Sequence, residues 1–171
     1  MMKWRYKPSK TKCNKKYTLI LESNKINYIN LDNMGTEDAV VVGQLTVDTR
    51  KTPSAKLQLS FNCNLDYSMS LTEQMNLLFK LYRKDSKGTT TEIASQPYVV
   101  ILTGDLGTEA EFVTVSLGKN ETFTMNYLDE TIVGDLYTYL IEVNLIYSSV
   151  DEASIQGGTL TAIGKAYKDL C

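Results

Sequence analysis

From residue 39 onward apolar side chains return at every second position, not every third or fourth, which is the spacing of strands that lay one face on a core. The clearest run is Tyr137, Tyr139, Ile141, Val143, Leu145 and Tyr147, alternating with Thr138, Leu140, Glu142, Asn144, Ile146 and Ser148. The same alternation marks residues 41–47, 57–63, 77–81, 113–117, 123–127 and 160–164. Residues 98–102 are apolar without alternation, which predicts a strand covered on both sides. Between these runs lie groups that permit chain reversal: Thr52-Pro53-Ser54, residues 84–88, 103–107 and 118–120, and Gly157-Gly158. Ser70 followed by Glu73 resembles a capping box and predicts one short helical turn. Seven or eight strands so spaced predict an all-β protein, an antiparallel β-sandwich of jelly-roll or Greek-key type.

The first 35 residues read differently. Two short strand-like runs, residues 17–21 and 26–31, are joined by Glu22-Ser23-Asn24-Lys25, which predicts a β-hairpin with a four-residue loop. An isolated hairpin is marginal in water, so it must dock on its own sandwich or on the open edge of another copy. Its candidate donor-strand residues are Tyr17, Leu19, Leu21, Ile26, Tyr28 and Leu31. The chain is thus expected to divide into a basic N-terminal arm with a hairpin, 1–35, and a sandwich domain, 36–171.

Charge sharpens that division. Net charge is −2, yet residues 1–16 carry Lys3, Arg5, Lys7, Lys10, Lys12, Lys15 and Lys16 with no acid, a local +7. The remaining residues hold 11 Lys and Arg against 20 Asp and Glu, a net −9. A basic arm on an acidic body can pair with nucleic acid, with an anionic surface, or with the body of a neighbouring copy.

Candidate chemistry is sparse. There is no histidine, which removes the commonest general base and metal ligand. The acid pairs Glu109 and Glu111, Asp129 and Glu130, and Asp151 and Glu152 fall in turn-rich stretches without the spacing of a calcium loop, and read as solvated charge. Gly104-Asp105-Leu106-Gly107 lacks the Lys-Ser/Thr that completes a phosphate loop. No cofactor and no enzymatic activity are expected. Cys63 shares the apolar face of Leu57, Leu59 and Phe61 and reads as core, as does the stripe of Tyr137, Tyr139 and Tyr147. Cys13 and Cys171 lie near the two chain ends and are candidates for an inter-subunit disulfide; Lys12, Lys15 and Lys16 favour the Cys13 thiolate. No stretch has the roughly 18 consecutive apolar residues of a membrane span, and no signal peptide is recognised, so synthesis in a cytoplasm is expected.

Residues 45–49, 56–61, 76–81, 123–125, 137–143 and 158–163 resemble a family of clostridial proteins, some of which are associated with spore surface layers. The likeness spans about residues 40–165 and implies a self-assembling surface protein with no catalytic residues. Thr159-Leu160-Thr161-Ala162-Ile163 is also similar to the last strand of tumour-necrosis-factor-like spore glycoprotein jelly rolls, which oligomerise. Family members tend to be Cys-rich before the strand at Tyr137; here residues 126–136 have none. The leading expectation is therefore a structural subunit of a bacterial spore surface layer or fibre, a homo-oligomer or filament linked by its arm and by disulfides. The rivals are a capsid-like jelly roll whose arm binds nucleic acid, and a ligand- or glycan-binding module.

Overall fold

A computed structural model of the chain describes residues 14–51, 54–70, 72–102, 116–150 and 152–170. Among them lie nine strands: β1 (Asn14–Ile26), β2 (Ile29–Asn30), β3 (Ala39–Asp48), β4 (Ser54–Ser70), β5 (Gln74–Lys84), β6 (Thr90–Ile101), β7 (Ser116–Ile132), β8 (Leu136–Ser148) and β9 (Glu152–Leu170). One sheet runs β1-β9-β4-β7, with β2 also on β9, and the other runs β3-β8-β5-β6. All pairings are antiparallel.

The order has a simple origin. Pairs β1·β9, β3·β8, β4·β7 and β5·β6 nest inside one another like the two arms of a single long hairpin. Rolling that hairpin brings β9 beside β4 and β8 beside β5, which closes a five-stranded and a four-stranded layer face to face. This is the jelly roll, with its two interlocked Greek keys. Alternation places the odd-numbered side chains of β4, from Ala55 to Met69, in the core, together with Met75 to Leu81 of β5 and Tyr137 to Leu145 of β8. Phe61 and Phe123 from one sheet meet Phe79 from the other, with Phe79 and Phe123 stacked at 4.0 Å between centroids.

Several expectations are corrected. Residues 22–25 are not a hairpin loop: they continue β1, which runs unbroken beside β9 of the same subunit. Residues 14–31 therefore belong to the sandwich, and the boundary expected at 35/36 falls inside the fold. The Ser70–Glu73 box holds a tight turn instead of a helix; Glu73 accepts from the Ser70 amide at 2.6 Å while Thr72 takes a φ of 74°. Residues 98–101 end the edge strand β6, whose outward Val99 and Ile101 are exposed. Residues 118–120 lie within β7, and Gly157-Gly158 lie within β9 at a bulge opposite Cys63 and Leu65. Tyr147 is exposed, because the β5–β8 register shifts between Asn76 and Leu77.

Gly164 shows how closely β9 and β4 approach. A Cβ there would collide with the Lys56 carbonyl and the Leu57 side chain. Gly164→Ala should cost about 1–3 kcal/mol, the usual range for overpacking, measured as a lowered denaturant midpoint with unchanged m-value.

Candidate functional site

The topology gives the sandwich two chemically different ends. Connections β3–β4, β5–β6 and β7–β8 lie at the end where β1 starts and β9 finishes. The β2–β3, β4–β5 and β8–β9 connections lie at the other. Among the described residues, the connecting segments at this second end carry Asp32, Glu37, Asp38 and Glu73 and no Lys or Arg. Beside them a groove of about 410 Å³ is bordered by Asp32, Asp66 and Glu152, with the exposed Tyr28 at its side. Among the described residues, no basic side chain lines it. Asp32 accepts from the Ala153 amide at 2.5 Å, which ties the β2–β3 connection to β9; Gln156 reaches Asp66 only at 3.4 Å. On β7, Glu121 accepts from the Tyr98 hydroxyl at 2.7 Å and from Lys119 at 3.0 Å. The first of these, then the second, holds its carboxyl below the ordinary glutamate value, so it stays charged through the neutral range.

A second polar cluster is interior. Asp129 on β7 is 1% exposed and belongs to the same inward-facing set as Phe123 and Met125. Arg83 on β5 crosses the layer gap to donate to both carboxylate oxygens at 2.9 Å and to Thr131 at 2.6 Å. Tyr139 and the Thr131 amide and hydroxyl donate to the same carboxylate at 3.0–3.1 Å. The guanidinium also lies 5.4 Å from the centre of the Tyr137 ring. Burial, then the Asp129 charge, pushes the Tyr139 hydroxyl up, so it remains a donor. Every acceptor position of Asp129 is used by the fold, which makes this cluster a strut between the sheets. Its position corrects the reading of Asp129 and Glu130 as solvated loop charge; only Glu130, paired with Lys56 across the surface, fits that description.

The outer faces carry exposed apolar groups. Leu21, Ile163, Gln58 and Leu128 form one row across the first sheet, with Leu19 beside Leu21's row. On the second sheet Val99, Ile101, Ile146 and Tyr147 surround Asn76 and Leu78, and Asn144 Oδ1 is buried there without a hydrogen-bond partner.

The predicted site residues fall into three groups. Lys3, Arg5, Lys7, Lys10, Lys12, Cys13 and Cys171 lie outside the described residues. Lys15, Lys16 and Tyr17 pair through their backbone with Asp169, Lys168 and Tyr167 of their own β9. Leu19 and Leu21 are exposed on the same strand, Tyr28 is exposed beside the groove, and Ile26 and Leu31 are buried in the core. The side of β1 facing β9 is therefore already paired within the subunit, and these residues are not a free donor hairpin. Cys63 is buried as expected, its thiol pushed up to about 12 by burial. Among the described residues no cluster of three or more Cys, Asp or Glu could hold a metal ion, and no helix is long and apolar enough to cross a membrane.

No protein-family model matches the chain, and no curated protein matches it in sequence. Solved structures align with it at low identity. That of infectious bursal disease virus, Gx strain, is 12% identical with a TM-score of 0.46, covering 100% of this chain and 42% of that one. The infectious bursal disease virus VP2 subviral particle has the same identity and coverages with a TM-score of 0.42. Dimeric latent PorU from Porphyromonas gingivalis is 11% identical with a TM-score of 0.38, covering 91% of this chain and 13% of that one. The chain thus spans under half the length of the viral chains it aligns with. The jelly-roll assignment rests on the strand order within the chain itself.

Proposed function

We propose that this protein is a structural, self-assembling subunit with no reaction to perform, joined head to tail by the basic segment of one copy seated on the acidic end of the next. The observation that carries this reading is that the acidic groove lies at one end of the sandwich while β1, which follows the basic segment in the sequence, begins at the other. Strand β1 begins at Asn14 beside Leu170, whereas Glu152, at the far end of the same β9, borders the acidic groove. Eighteen residues of strand separate those points, about 60 Å along the sheet. Lys3 stands 11 residues before Asn14 and reaches at most about 40 Å when fully extended. The segment therefore meets the acidic end of a neighbour before its own. Such a contact is heterologous and gives a ring or an open filament, according to whether its rotation closes. The outer edge of β1, unpaired among the described residues, and the apolar rows on both faces offer lateral surfaces for the same assembly. The spore- or cell-surface setting enters this proposal through the resemblance of residues 40–165.

Sedimentation velocity of the full chain tests it. Association should weaken at least about tenfold, or by roughly 1.4 kcal/mol, in the variant Asp66→Lys/Glu152→Lys. It should weaken likewise as salt rises from about 0.05 to 0.5 M, where screening shortens to a few ångströms. A chain that stays monomeric at low salt, or associates regardless of both changes, would sink the idea. A second reading follows from the +7 segment alone, in which it neutralises phosphate. That reading predicts salt-sensitive oligonucleotide binding by a monomer, indifferent to the groove substitutions.

A further inference from the structure

We infer that Lys51, Lys84 and Lys87, gathered by three linked turns at the end of the sandwich where β1 begins, form a docking face for the acidic groove of a second copy. The inference rests on the head-to-tail reading above and gives that contact a surface on the body of the subunit. Asp135, in the β7–β8 connection, holds the face together. Its carbonyl accepts from the amide and the hydroxyl of Thr49, both at 2.8 Å, and its amide donates back to the Thr49 hydroxyl at 3.1 Å. That ties in the β3–β4 connection, where Thr49 is fully buried. The Asp135 carboxylate accepts from the Leu136 amide at 2.7 Å and from the Ser86 amide at 3.4 Å, which ties in the β5–β6 connection. Lys51 and Lys87 stand in the two connections joined to Asp135, and Lys84 ends β5 just before the second of them.

The carboxylates of this face are occupied by its own turns. Asp48 receives the Arg50 guanidinium in two bonds, at 3.0 and 2.7 Å, and Asp85 accepts from the amides of Lys87 and Thr89 at 3.0 and 2.8 Å. The three lysines are exposed and enter no ion pair among the described residues. Lys51 and Lys87 act on Asp48 and Asp135 only from beyond that distance. A lysine ammonium on its flexible stem is free to turn outward to a partner, whereas the bonded carboxylates are not. The groove is the inverse: Glu152 and Asp66 border it, and Asp66 is reached only by Gln156 at 3.4 Å. Each face adds one exposed apolar group, Val133 at 65% and Tyr28 at 58%, for the charges to surround. Because the two faces lie at opposite ends, one copy cannot join its own, and the contact repeats from copy to copy. Complementary potentials of this kind steer the encounter and fix its register.

The test is sedimentation velocity of the full chain at about 0.05 M salt, where exposed charges are weakly screened. The variant Lys51→Glu/Lys84→Glu/Lys87→Glu should associate about tenfold more weakly than the unaltered chain. Its melting temperature should not change, since all three side chains are exposed. Combined in one chain with Asp66→Lys/Glu152→Lys, it should regain at least about threefold of what the groove change alone loses, because an acidic face then meets a basic groove. Normal association of the lysine variant, or no regain in the combined chain, overturns the inference; if the groove variant alone still weakens association, the parent reading stands without it. An unaltered chain that stays monomeric, or a groove variant that associates normally, overturns both. A lysine variant that assembles normally but loses binding to a labelled oligonucleotide would make the face a polyanion site, and the inference would fall.

Discussion

Asp129→Ala should destabilise the fold by about 3–5 kcal/mol, the cost of removing one partner from a buried ion pair. Arg83 would be left with its charge largely out of water and only Thr131 and the face of Tyr137 to answer it. The Tyr139 hydroxyl, with no exposure, would lose its acceptor as well. Urea unfolding measures the loss. The double variant Arg83→Met/Asp129→Leu should recover most of it, because a well-packed apolar pair of similar volume is often neutral in place of a buried ion pair. A single Asp129→Ala cost under about 1 kcal/mol, the scale of an exposed pair, would show that the carboxylate is not the strut between the sheets that its burial implies.

This strut is legible in the sequence, at the next inward positions of two alternating runs. Leu77, Phe79 and Leu81 set an inward parity on which Arg83 is the next member; Phe123, Met125 and Tyr127 do the same for Asp129. Opposite charges on inward positions of two strands must find each other or be expelled from the core. The central strands β4, β5 and β8 were equally plain, since both neighbours of each enforce burial of alternate residues. Three of the misread segments share a different property: β1, β6 and β7 are edge strands, whereas Gly157-Gly158 mark a bulge inside the central β9. With a partner on one side only, residues 22–25 are all exposed and look like a polar loop, and residues 118–120 look like a turn. Outward Val99 and Ile101 made an edge strand look doubly buried. The acidic end was not legible, because it depends on which connections the rolled hairpin brings together. Its members, from Asp32 to Glu152, are spread over the chain and were visible only as scattered acids.

Phe79→Ala should cost about 3–5 kcal/mol, as large-to-small substitutions of buried aromatics do. The ring has no exposure and, with Tyr98, joins the second sheet to a cluster with Phe61 and Phe123. Its stacking on Phe123 at 4.0 Å joins layers that share no hydrogen-bonded strand pair, so truncation removes cohesion the sheets cannot replace by backbone bonding. Phe61 sits on β4, paired to both β7 and β9, and cannot move inward to fill the void without breaking that register. The cavity should therefore persist instead of collapsing, which puts the cost at the upper end of the range. Phe79→Leu, which keeps most of the volume, should cost less than half as much. Thermal unfolding followed by near-ultraviolet circular dichroism would report both the stability and the loss of aromatic order. Equal costs for the two variants would mean that ring stacking, and not filled volume, is what the second sheet supplies at this position.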